Sequence, residues 1–273
     1  MTTRVITGLV GRSGGRVVSG SVVFDGLSLV DAPAATWKQV RGRRIALVPQ
    51  SSLASLNPVI KVGNQLRETI KTLNPHLETR RRSIELLDMV RLPKAADVMR
   101  LYPHELSGGM RQRVMIALAL AGDPELLIAD EATTALDTTI QRGILDLISE
   151  LRTTSGLAVL FVTHDLGLVR RFTDSVAVMY AGTVVESGPT ATVLERASHP
   201  YTRALLASIP SVERREARLL PVPGLCPAPH ERGAGCAFAP RCNQAESRCH
   251  EQRPVLEVER GEHSVSCWLA VTK

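Results

Sequence analysis

"LLIADE" (126–131) is an apolar run that ends in two carboxylates. Its length and branching suit a buried parallel strand. A helical pattern follows at 139–152, where Ile140, Ile144, Leu147, Ile148 and Leu151 fall on one face. A second apolar run, "AVLFVTH" (158–164), comes next, and "RRIALVPQ" (43–50) and "SVAVMY" (175–180) have the same character. Strands alternating with helices predict an α/β fold on a mostly parallel sheet covered on both sides. Open sheets of that kind bind ligands at the carboxyl ends of their strands. Gln50, Asp130, Glu131 and His164 all stand at such ends.

Working outward, "RVVSGSVVFD" (16–25) partly alternates apolar with small or polar residues, as a half-buried strand does. Between Gln50 and Ala121 the pattern turns helical, with Ile84, Leu87 and either Val90 or Met89 as one stripe, which reads as a helical insertion. "HPYTRALLASIP" (199–210) predicts a short helix between prolines. From Pro210 the chain is rich in Pro, Arg, Cys and Gly with weak periodicity, which sets the tail apart as a separate unit.

The 273 residues are 44% hydrophobic, enough for one sizeable domain and a smaller one. Only 3% are aromatic, so few rings are available to stack on bases. The formal charge of +6 is spread along the chain and reads as a solvated, arginine-rich surface without a nucleic-acid partner. "MTTRVITGLVGRSGG" (1–15) has no secretory core, and no stretch approaches the roughly 20 apolar residues of a membrane span, so a cytosolic chain is expected. All five cysteines lie after residue 225, and in a reducing compartment they read as free thiols or metal ligands.

"LSGGMRQRV" (106–114) places Ser107, Gly108 and Gly109 ahead of a helix, where backbone N–H groups and a hydroxyl can receive a phosphate. The same residues also make an ordinary helix N-cap. No lysine accompanies them, and no G-x-x-x-x-G-K-[ST] run lies within the 273 residues. Asp130 suits magnesium, held directly or through water, and Glu131 suits the orientation or deprotonation of an attacking water. The competing readings are a helix N-cap after the strand for the two acids and a satisfied strand-end histidine for His164.

Taken in order, "LVPQ" (47–50), "LSGGMRQRV", "LLIADE", "TTALD" (133–137) and "VTH" (162–164) resemble the Q-loop, signature, Walker B, D-loop and H-loop of an ABC transporter ATPase subunit. "SLNP" (55–58), the methionine after "LSGG", "HPYTRALL" (199–206) and the cysteine tail resemble the peptide-importer branch, which includes dipeptide, oligopeptide and nickel systems. The resemblance implies a P-loop NTPase-like, RecA-like core over residues 1–190 with a helical subdomain at about 51–121, and a Cys-rich extension over 191–273. It implies ATP and Mg²⁺ as cofactors. Glu131 is then the catalytic base, His164 the γ-phosphate contact, Asp130 the magnesium carboxylate, Gln50 the sensor coupled to the permease, and Asp137 part of a loop crossing the dimer interface. Ser107, Gly108 and Gly109 would face the nucleotide of a second ATPase subunit, a copy or a paralogue. A bulkier residue at Gly109 is expected to block that approach while leaving the fold largely intact.

Such a subunit sits peripherally on the cytoplasmic face of the membrane, docked on transmembrane permease subunits and served indirectly by a solute-binding protein. Relatives carry a lysine-bearing phosphate loop, the Walker A segment, ahead of the part that matches "MTTRVITGL", and that segment is expected to be missing here. A catalytically silent subunit that only donates its signature is the alternative. A DNA-associated ATPase fits less well, because "SLNP" and the cysteine tail point to importers.

Cys236, Cys242, Cys249 and Cys267 are spaced C-x5-C-x6-C-x17-C. Four thiolates satisfy zinc or an iron–sulfur cluster, though the spacing fits neither common short motif. Buried thiols in a thin appendage are the other reading. The resemblance favours an iron–sulfur cluster or zinc, with Cys226 left free.

Overall fold

Alternation inside three short strands builds the sheet that carries the strand-end residues. The computed structural model describes residues 1–11, 14–50, 55–132, 137–209 and 222–270. The chain forms two compact units, residues 1–164 and 165–273. In the first, β3 (Ile45–Val48), β4 (Leu126–Asp130) and β5 (Ala158–Val162) form a parallel sheet in the order β3-β4-β5. Ile45 pairs with Leu126, and Leu126 with Ala158, so the three strands end level with one another.

Period-2 side-chain alternation gives that sheet two covered faces. Ala46, Val48, Leu127 and Ala129 point into one cluster, and Ile45, Leu47, Leu126 and Ile128 into another with Leu29, Val40 and Trp37. The larger cluster is filled by α3 (Val62–Leu73), α4 (Thr79–Met89), α6 (Gly108–Ala119) and α7 (Thr138–Ser155). Leu66, Ile70, Leu86, Leu87, Ile116, Ile144 and Leu147 are all essentially inaccessible there. Each such Leu or Ile stabilises the fold by about 1.5–3 kcal/mol. The stripe expected at 139–152 faces this core, and the helix that carries it ends at Gly156 in a left-handed cap. In the stripe on α4, Val90 is buried and Met89 is 37% exposed, which resolves that pair.

The remaining first-unit elements are small: α1 (Thr2–Ile6), α2 (Ala34–Val40), α5 (Ala95–Val98) and a hairpin of β1 (Val23–Phe24) with β2 (Leu27–Ser28). The strand expected over 16–25 is therefore confined to two residues. Asp25 (φ 47°) and Gly26 (φ 75°) make the turn, and both central residues of a tight two-residue hairpin loop need positive φ.

The second unit departs from the sequence expectation in strand direction. β6 (Ser175–Tyr180) pairs antiparallel with β7 (Thr183–Pro189), in a sheet ordered β6-β7-β9-β8 with β9 (His263–Val265) and β8 (Glu257–Arg260). Only Ala181 and Gly182 join β6 to β7, far short of the dozen or more residues that a parallel crossover needs. The unit also holds α8 (Leu166–Phe172), α9 (Thr190–Glu195), α10 (Pro200–Ala207) and α11 (Ser247–Glu251). Its core joins Val178, Tyr180, Val185, Val193 and Phe238, with Tyr201, Cys236 and Cys242 packed against it. Among the described residues no helix is long and apolar enough to cross a membrane.

Candidate functional site

The level ends of β3, β4 and β5 bring the sequence-selected residues to one place. Gln50 follows β3 by two residues, Glu131 follows β4 directly, and His164 follows β5 by two. Gln50 Nε2–H donates to Glu131 Oε2 at 2.5 Å, and His164 Nδ1 lies 3.5 Å from Glu131 Oε1. One carboxylate thus meets a side chain from each flanking strand. Its backbone is held left-handed at φ 48° while its N–H donates to the Val162 carbonyl at 2.9 Å. A non-glycine residue in that region costs about 1–3 kcal/mol, and such strain gathers at functional sites. His164 is 73% exposed and the Glu131 carboxylate 29%, so the cluster opens to solvent. Among the described residues no helix cap by Asp130 or Glu131 is seen, and residues 133–136, where such a cap would fall, lie outside the described residues.

Asp130, the last residue of β4, accepts a hydrogen bond from the Thr3 hydroxyl at 2.8 Å. Thr3 is buried and lies on α1. Sequence reasoning passed over it, because a threonine on a five-residue helix carries no motif of its own. A carboxylate beside a hydroxyl is an oxygen donor set of the kind magnesium takes, with phosphates and waters completing its shell.

The signature residues sit apart from this cluster in role. Ser107 caps α6, its Oγ accepting from the Met110 N–H at 3.3 Å, and Asp137 caps α7, its Oδ1 accepting from the Ile140 N–H at 2.8 Å. Within this single chain both motif residues act as helix caps, worth about 1 kcal/mol each. Gly108 is the first residue of α6, and Gly109 beside it is buried. Residues 133–136 of "TTALD" lie outside the described residues. The expectation that Gly109 tolerates a larger residue is corrected: a Cβ there would lie 2.7 Å from Ile140 Cγ2.

In the second unit Cys236, Cys242, Cys249 and Cys267 line one pocket with His199, Phe238, Trp268 and Leu269. The Cys236 N–H donates to the Cys249 carbonyl at 2.8 Å, which joins the two cysteine segments. Burial pushes the thiols of Cys236 and Cys267 above their ordinary range and so favours the neutral form over the metal-binding thiolate. Burial also pulls His199 down to about 4, with the Arg203 charge adding to the effect. Among the described residues no group of three or more His, Cys, Asp or Glu side chains is arranged to hold a metal ion. The pocket's 20 Å³ has the room of a single water. Four thiols share a pocket here without forming a ligand shell among the described residues, so this arrangement gives the zinc or iron–sulfur expectation no support. Cys226 is exposed, as a leftover thiol would be.

The comparisons agree with the strand-end geometry. The ABC transporter family profile matches residues 2–134, and the profile of the oligopeptide/dipeptide transporter C-terminal region matches residues 185–249. An oligopeptide transport ATP-binding protein of Bacillus subtilis is 41% identical over 98% of this chain and 83% of its own length. A Brucella abortus protein named for peptide import and ATP binding is 45% identical over 90% of this chain and 75% of its own. Among solved structures, the dimeric ATP-binding cassette MJ0796 in a post-hydrolysis state with ADP and Pi is similar at a TM-score of 0.60 and 27% identity, covering 69% of this chain and 79% of that one. The cbiO1 subunit of a Clostridium perfringens ABC transporter complex gives 0.61 and 25%, covering 71% and 74%. A P-loop cassette fold with its polar residues at the strand ends, and relatives of this identity and coverage, mean that the chain belongs to the family of ATP-binding subunits of peptide and oligopeptide ABC transporters.

Proposed function

We propose that this chain binds and hydrolyses ATP to energise an importer of peptides or related small solutes. The meeting of Gln50 and His164 on the Glu131 carboxylate supports this reading most directly. In it Glu131 takes the proton of the attacking water, Gln50 and His164 orient that carboxylate, and His164 reaches the γ-phosphate. Asp130, steadied by Thr3, would hold magnesium, which when bound neutralises charge developing on the phosphates. The intact cluster gives no support to a silent subunit.

Ser107, Gly108 and Gly109 would close over the nucleotide of a second ATPase subunit, and Asp137 would stand in the loop that meets that partner. The dimeric cassette structure supports such a pairing, and the name of the oligopeptide transport relative supports work alongside permease subunits; a place on the cytoplasmic face of a membrane and service by a solute-binding protein complete the proposal. In this assignment residues 1–190 act as the ATPase domain, with a helical subdomain at about 51–121, and residues 191–273 as the importer-type extension.

Residues 1–273 contain no G-x-x-x-x-G-K-[ST] run, the usual cradle for the β- and γ-phosphates. The test compares the 273-residue chain with one extended ahead of Met1 by a segment bearing that run. The short chain binds ATP weakly and turns it over negligibly, and the extended chain, paired with a second cassette, turns it over. No turnover by the extended pair would sink the proposed function.

A further inference from the structure

The glycine at 109 has a tenant beside it from its own chain. Gly109 is buried at the start of α6, and the space its Cβ would need is filled by Ile140 at the start of α7, with Cγ2 at 2.7 Å and Cδ1 at 3.4 Å. The nearer atom is a branch on Cβ, stiff at χ1 in a helix, so it cannot swing aside as the end of a long side chain would. Ile140 is also fixed from behind. Its N–H is bound by the Asp137 carboxylate at 2.8 Å, and its side chain packs against the core that buries Ile144 and Ile148. On the facing helix Ser107 binds the Met110 N–H. The two capped helix starts therefore meet where Gly109 carries no side chain and Ile140 fills the space.

We infer that Ile140 is a positioning residue that locks the signature start, Ser107 to Met110, to the Asp137 cap, so that the two helix starts move as one body. Gly109 is then small for the sake of this intrachain contact as well as for an approaching phosphate. This inference rests on the proposed function for its consequence across the interface, but the contact itself can be tested without nucleotide.

The experiment is a cycle of Gly109→Ala, Ile140→Ala and the double substitution in the full chain, read by melting midpoint and by hydrogen exchange. Ile140→Ala removes Cγ2 and Cδ1 and so vacates the space that Gly109→Ala invades. Gly109→Ala is expected to lower the midpoint by several degrees, and the double variant is expected to melt at or above the Ile140→Ala single. Ile140→Ala alone is expected to raise amide exchange several-fold in both 108–111 and 138–141, with 144–151 unchanged, and Ile140→Val, which keeps Cγ2, to restore protection. A double variant whose losses simply add, or faster exchange at only one helix start, would overturn the inference.

Turnover by the phosphate-loop-extended chain with its partner supplies the second arm. Rescue of the midpoint together with rescue of turnover supports the lock. Rescue of the midpoint without turnover shows that the contact stabilises the fold but that turnover needs glycine at 109 for another reason, and overturns the functional half. Absence of turnover in the unsubstituted pair counts against the proposed function, while the melting and exchange cycle still decides the contact.

Discussion

The two units gather reactive side chains in opposite ways. In the first, Gln50, Glu131 and His164 converge where parallel strands end, and the group opens to solvent with its polar atoms bound to one another. In the second, four thiols are drawn into a small pocket walled by Phe238, Trp268 and Leu269. Burial pushes Cys236 and Cys267 toward the neutral form, whereas the first cluster is joined through its polar atoms at the open end of the sheet. The first arrangement can do chemistry on a ligand that arrives; the second stabilises a thin unit by packing. Convergence of reactive residues is thus no measure of function until their exposure and partners are known.

The contrast is broken most directly by substitution at each centre. In the phosphate-loop-extended chain, Glu131→Gln is expected to lower kcat by about 10²–10⁴-fold, the range that a general base supplies. Replacing all four pocket cysteines by alanine is expected to leave kcat per folded protein within about twofold. A large kcat loss in the cysteine variant, with its fold intact by circular dichroism, would overturn the division of labour.

Acid should separate the units next. His199 titrates near 4 in the fold against 6.5 in an unfolded chain, so between those values the unfolded state binds more protons. Stability contributed by the buried neutral ring is complete above pH 6.5 and is lost as pH falls toward 4, by at most about 3 kcal/mol. Urea unfolding followed through Trp268, in a Trp37→Phe background, measures it. His199→Asn keeps a side-chain acceptor for the Tyr201 N–H, now bound at 3.0 Å, and is expected to flatten the slope between pH 6.5 and 4.

A smaller effect is expected at Gly235, where a Cβ would meet the Cys249 and His250 carbonyl oxygens at 2.4 Å. Gly235→Ala is expected to cost about 1–3 kcal/mol by overpacking and to make the four pocket thiols react faster with an aromatic disulfide reagent. Unchanged thiol reactivity would mean that the Cys236–Cys249 link does not hold the pocket. The smallest effect is the most pointed: removing metal with a chelator under anaerobic conditions is expected to leave the melting midpoint of the protein unchanged. Iron or zinc near one site per chain, lost together with stability, would show that the cysteine tail holds a metal.

Much of the first unit was legible because its physics is local. The stripe from Ile140 to Leu151 and the apolar runs ending at Gln50 and Asp130 carry their own burial pattern, whereas β5, expected to be buried, leaves Ala158 and Val162 exposed; strand-end polarity follows from chain order. Direction was not legible from apolar character, since "SVAVMY" looks like a parallel strand until the two-residue Ala181–Gly182 link after it is weighed. Asp-Gly at 25–26 was a hairpin signal of the same kind, and it cut a ten-residue strand reading to two residues. The Thr3–Asp130 bond spans 127 positions and the Gly109–Ile140 contact depends on how two helices dock, so no window of sequence contains either. The shared pocket of the cysteines was foreshadowed by their grouping, but its apolar walls depend on Phe238 and Trp268, which their spacing does not report.

Glu186 on β7 is fully buried, and its carboxylate accepts from the Ser198 and His199 N–H groups at 2.7 and 3.1 Å and meets His263 Nε2 at 2.8 Å. His263 lies 77 positions further along the chain. During synthesis β7 leaves the ribosome long before that partner exists, and a carboxylate half-satisfied in an apolar setting resists burial. The second unit therefore cannot set vectorially from its amino end: β6 and β7 wait, hydrated, until the final hairpin arrives. Nascent chains stalled before residue 263 should leave the residues after His164 open to protease, and release of the finished chain from the ribosome should close them.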